Sequence, residues 1–71
     1  MKIPKNEKIV LTYVFEGVDC YTVTRNILGK YTLYKITDGD YQKIKTAESP
    51  LEFDRVVYND RRWERWQDFL K

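Results

Sequence analysis

Between residues 8 and 16, Ile9, Leu11, Tyr13 and Phe15 fall on one face and Val10, Thr12 and Val14 on the other. Alternation with period two is the mark of a β-strand. Both faces are rich in β-formers, which predicts a strand with neighbours on both sides or a partly covered outer face. Gly17-Val18-Asp19 follows as a turn signal, and residues 20–28 read as a second strand that loosens near Asn26. Gly29 punctuates it, and residues 30–37 form a third strand. Asp38-Gly39 then separates this run from a short fourth strand over 41–46. An Asp-Gly pair between strand-like runs signals a hairpin, because both residues accept positive φ. The short connections predict an antiparallel meander.

The pattern changes at Ser49-Pro50-Leu51-Glu52. Ser at an N-cap followed by Glu three residues on is a capping box, with Ser49 accepting from the Glu52 amide and Glu52 reaching back to the Ser49 amide. Proline at the first helical position needs no amide donor and already has a helical φ. Beyond it, Phe53, Val56 and Val57 share one helical face, whereas Trp63, Trp66 and Leu70 line a rotated one. At about 100° per residue the stripe drifts by roughly a quarter turn. Tyr58-Asn59-Asp60 lies at the junction, and Asn and Asp are good N-caps. The pattern therefore predicts two helical segments, or a kink near Asn59. The fold class is α+β: a three- to four-stranded antiparallel meander with a C-terminal helix across one face. A single domain spans 1–71, with a frayed lead-in at 1–6, the meander at 7–46 and the helical segment at 49–71.

Two registers are open at Asp38-Gly39. A two-residue turn pairs Tyr34 with Lys43 and Leu33 with Ile44. A three-residue turn with a glycine bulge pairs Tyr34 with Gln42 and Leu33 with Lys43. The bulged register is preferred here because it gathers lysines away from the core. It places Tyr31, Leu33, Lys35, Tyr41, Lys43 and Lys45 on one face.

Seventy-one residues bury a small core, and the usual staples are missing. Cys20 is the only cysteine and there is no histidine, so neither an internal disulfide nor a Cys/His zinc cluster can form. Two Trp, six Tyr and three Phe are the expected source of packing energy. Residues 1–8 have no apolar stretch of signal-peptide type, and the runs Ile9-Val10-Leu11 and Tyr13-Val14-Phe15 are too short to span a bilayer. These features, with the lone thiol, predict a soluble, cytoplasmic protein that does not engage a membrane.

The net charge of +2 divides unevenly. Residues 1–46 hold eight Lys/Arg against five Asp/Glu, and residues 47–71 hold five against six. That bias is weaker than a dedicated nucleic-acid binder shows.

Catalytic chemistry finds no foothold in the sequence. Cys20 lacks a histidine partner and reads as a small buried hydrophobe. Asp38 and Asp40 belong to a turn, without the further acidic positions of a calcium loop. No phosphate-binding glycine loop or serine elbow is present. The expectation is a non-enzyme without metal or cofactor.

Two constellations point to binding. Arg61-Arg62-Trp63-Glu64-Arg65-Trp66-Gln67-Asp68-Phe69-Leu70 carries more apolar surface than one helix–sheet contact needs. Trp and Arg are enriched at interface hot spots, so Arg62, Trp63, Trp66 and Phe69 are candidate protein contacts. Tyr31, Lys35, Tyr41, Lys43 and Lys45 form the alternative, a sheet face on which lysines neutralise phosphates and tyrosines stack on bases. The leading expectation is a small non-enzymatic module that binds another protein, a regulator or inhibitor of bacterial or phage type. The runner-up is a nucleic-acid-binding module. The oligomeric expectation is a monomer or a homodimer.

Overall fold

Two pairs of left-handed residues bend the first half of the chain into hairpins. Glu16 and Gly17 have φ of 55° and 77°, and Asp38 and Gly39 have φ of 52° and 78°. Positive φ at both central positions is the conformation whose twist matches that of paired strands. The computed structural model describes residues 3–70, with side chains through residue 62. It shows strands β1 (Glu7–Phe15), β2 (Val18–Asn26), β3 (Tyr31–Thr37) and β4 (Asp40–Ala47), then a 3-10 turn (Pro50–Glu52) and helix α1 (Phe53–Leu70). The four strands form one antiparallel sheet in the order β1-β2-β3-β4. The α+β meander-plus-helix architecture is therefore as the sequence pattern predicts.

Asn26 organises the wider turn between β2 and β3. Its Oδ1 accepts from the amides of Leu28 and Lys30 at 2.9 and 3.0 Å. Its own amide donates to the Lys30 carbonyl at 3.0 Å, and its carbonyl accepts from Gly29 at 3.0 Å. Gly29 has φ 83°, a conformation open to glycine at little cost.

The register at Asp38-Gly39 corrects the sequence-based preference. Thr37 pairs with Asp40 and Tyr34 with Lys43, so the turn has two residues. A bulge does exist, but it lies further along: Tyr34 faces Lys43 while Leu33 faces Lys45, leaving Ile44 as the extra residue. The preferred register failed because it treated the lysine-bearing face as solvent. Leu33 on that face is fully buried under the helix.

The helix start also differs in detail. Ser49 is the N-cap, with φ −136° and ψ 139°, but its side chain accepts from the Leu51 amide at 3.3 Å. The tight 3-10 turn brings that amide nearest. Glu52 points elsewhere, to Lys45 Nζ at 3.4 Å, so the reciprocal half of the capping box is not made. Nor does the helix break at Asn59: α1 runs continuously from Phe53 to Leu70. Asp60 does not cap a second helix because its carboxylate turns to the sheet, accepting from the Tyr21 hydroxyl and pairing with Lys35 Nζ at 3.0 Å.

The core lies between α1 and the two central strands. Tyr21 and Val23 of β2 and Leu33 of β3 pack with Phe53 and Val57 of α1, all five essentially inaccessible. Tyr13, Phe15, Cys20, Tyr31, Ala47 and Val56 ring this cluster. Cys20 is thus a half-buried packing residue, displaced where Tyr13 pairs with Tyr21 but Val14 with Asp19. Phe53 sits at the first turn of the helix and contacts both central strands' cluster, so Phe53→Ala opens a cavity at the centre. The expected loss is about 3–5 kcal/mol, read as a fall in the urea midpoint with little change in slope.

Candidate functional site

β2 and β3 each present two chemistries. The odd-numbered positions Tyr21, Val23 and Leu33 face α1. The even-numbered positions Thr22, Thr24, Thr32 and Tyr34 face away from it, yet all four are nearly inaccessible. Their burial rests on hydroxyl pairing. Glu7 Oε1 accepts from Thr24 Oγ1 at 2.6 Å and from the Tyr34 hydroxyl at 2.8 Å. Thr22 Oγ1 donates to the Leu11 carbonyl at 3.1 Å, and Thr12 Oγ1 lies 3.3 Å from it. Tyr41 packs edge-on against Tyr34, with centroids 6.3 Å apart. Burial and the neighbouring Glu7 carboxylate push the Tyr34 phenol up to about 12.

On the helix side, α1 is fastened by phenol–carboxylate bonds. The Tyr13 hydroxyl donates to Asp54 and the Tyr21 hydroxyl to Asp60. Burial and Asp54 hold the Tyr13 phenol well above its ordinary range. At Asp60, burial favours the neutral acid, but the Tyr21 hydroxyl and Lys35 outweigh it and lower the carboxyl below its ordinary value. Arg61 lies over the Phe15 ring at 3.9 Å and reaches Cys20 Sγ at 3.9 Å.

The five lysine and tyrosine candidates do not share a face. Tyr31, Lys35 and Lys45 follow Leu33 to the helix side, where Lys35 pairs with Asp60, Lys45 with Glu52, and Arg25 lies over the Tyr31 ring at 5.9 Å. Tyr41 and Lys43 follow Tyr34 to the opposite side. The one-residue register difference accounts for the split. Of the helical candidates, Arg62 is exposed, while the side chains of Trp63, Trp66 and Phe69 lie outside the described residues.

What sequence reasoning missed is the placement of β1. Of the two readings offered for it, that of neighbours on both sides does not hold: among the described residues β1 is an edge strand that pairs with β2 alone. Ile9, Val10, Leu11 and Val14 are 54, 51, 43 and 54 % exposed. The signal was available: a strand apolar on both faces has too much apolar surface for a single helix to cover. β4, the other edge, carries Lys43 and Lys45 and a bulge at Ile44. Charges and bulges are the devices that blunt a sheet edge.

Two open grooves lie on the described surface. One of about 450 Å³ is lined by Lys45, Leu51, Glu52, Arg55 and Val56, and another of about 300 Å³ by Asn6, Lys8, Val10, Arg25, Asn26 and Ile27. Among the described residues, no three His, Cys, Asp or Glu side chains converge as a metal site, and no helix is long and apolar enough to cross a membrane. No protein-family model, curated protein or solved structure matches this chain.

The ionisable contacts set a pH dependence at both extremes. A phenol raised by folding keeps its contribution below its unfolded value near 10 and loses it as pH rises through the folded value. For Tyr34 that loss falls between about 10 and 12. Asp60, lowered by folding, contributes above the ordinary carboxylate range and loses that contribution as pH falls through its depressed value. Thermal melts across pH are expected to show a plateau at neutral pH and a fall above about 10 that is shallower in Tyr34→Phe. An identical alkaline fall in that variant contradicts the assignment.

Proposed function

We propose that this chain is a small non-enzymatic binding module that recognises another protein, a regulator or inhibitor of the compact bacterial or phage type. The observation that carries this reading is the β1 edge. Four exposed apolar side chains lie along a strand whose outer backbone groups have no strand partner among the described residues. Such an edge offers main-chain hydrogen bonds for affinity and alternate side chains for selectivity, the chemistry of strand addition. Three carboxylates engaged in the fold support the same reading. Glu7, Asp54 and Asp60 each accept a hydrogen bond from a tyrosine that helps hold the fold together. Arg62 and the tryptophan-bearing end of α1 are a second contact region in this reading.

The lysine–tyrosine route to nucleic acid has less support. Its five residues are divided between two faces, and two of its lysines are paired with carboxylates, Lys35 with Asp60 of α1 and Lys45 with Glu52 of the 3-10 turn.

Affinity capture on the immobilised full chain tests the reading. Val14→Lys places a charge on the exposed edge without touching the helix-side core. It is expected to weaken capture of a specific protein about tenfold or more, whereas Lys43→Glu leaves it unchanged. Capture indifferent to Val14→Lys, or salt-sensitive retention of nucleic acid lost with Lys43→Glu, contradicts it.

A further inference from the structure

We infer that the occupant of the β1 edge is a second copy of this chain, paired antiparallel through β1 about a two-fold axis at Thr12. The inference rests on the protein-binding reading above and names its partner. Three observations carry it.

The first is the contrast between edges. β4 is blunted by Lys43 and Lys45, whereas residues 9–15 of β1 carry no charge. The second is charge order. That neutral stretch is bounded by Lys8 on one side and Glu16 on the other. Antiparallel self-pairing brings the Lys8 end of each copy to the Glu16 end of the other, where Glu16 falls opposite Glu7, whose carboxylate is already turned to Thr24 and Tyr34 of its own sheet. Parallel pairing sets like charge against like, which is unfavourable.

The third is the match of faces. β2 already passes over Val10, pairing Ile9 with Thr24 and Leu11 with Val23. A second β1 that does the same sets Thr12 opposite Thr12 of the second copy, and Leu11 opposite Tyr13 of the second copy, both on the helix side. Ile9 then meets Val14 of the second copy on the far side. Those two residues are equally exposed, at 54 %. Every opposed pair lies on one face, as an antiparallel ladder requires. The interface is isologous, so it closes at two copies and yields one eight-stranded sheet with both helices on the same side.

The two-fold at Thr12 gives a test that separates register from folding. Thr12→Lys sets two lysines against each other, and Thr12→Glu two glutamates. Thr12 is exposed, and Thr22 keeps its bond to the Leu11 carbonyl in either variant. By sedimentation equilibrium, wild type is expected to be a dimer. Each variant alone is expected to dissociate about tenfold or more readily, and an equimolar mixture to recover the dimer as a heterodimer. Circular dichroism of each variant confirms that the fold is kept. The inference is overturned by a monomeric wild type, or by single variants that dimerise as well as wild type. A monomeric wild type that still captures a different protein, in a manner abolished by Val14→Lys, overturns self-pairing alone and leaves the protein-binding reading standing.

Discussion

The contact of Phe53 and Val57 with Tyr21, Val23 and Leu33 is the interaction on which the rest of this molecule depends. A four-stranded meander of this size presents apolar side chains on the face that a helix must cover. With neither an internal disulfide nor a Cys/His zinc cluster possible, that burial is the main source of cohesion. The cluster also fixes which lysines lie under the helix and which face solvent, because Leu33 and Tyr34 define the two sides of β3.

Polar contacts then convert a greasy seam into a specific one. Asp54 and Asp60 on α1 accept from Tyr13 and Tyr21 on the sheet, and Lys35 adds a charge to the second pair. Each phenol reaches its partner only at one azimuth of the helix, so the bonds select a rotation that apolar packing alone leaves loose. On the other side of the sheet Glu7 does comparable work, satisfying Thr24 and Tyr34 where water has little access. Among the described residues, exposed apolar side chains are concentrated along the β1 edge, which has no outer strand partner.

The order of elements was legible in the sequence because it is written in local signals. Alternation, Asp38-Gly39 and Ser49-Pro50 each act within a few residues. What was not legible depends on contacts distant in the chain. Asn59-Asp60 has the local chemistry of a helix start, but Asp60 is recruited by Tyr21, 39 residues away. The bulge at Ile44 slips the β3–β4 pairing by one residue, and no turn signal marks it. Glu7 stood at the first position of the meander with no role assigned, and its role follows only from the contacts with Thr24 and Tyr34, 17 and 27 residues away. The candidate surface shifted for the same reason: β1 was readable as a strand apolar on both faces, but strand order decides whether such a strand is central or at an edge.

The central claim is that sheet and helix are one cooperative unit, with neither standing alone. Native-state amide hydrogen exchange, followed residue by residue, tests it directly. The account predicts that amides of Tyr21–Val23, Leu33 and the Val56–Tyr58 turn of α1 exchange through a common opening at the global unfolding free energy. Fast exchange along α1 while β2 and β3 remain protected contradicts it, since the sheet then persists without its helical cover.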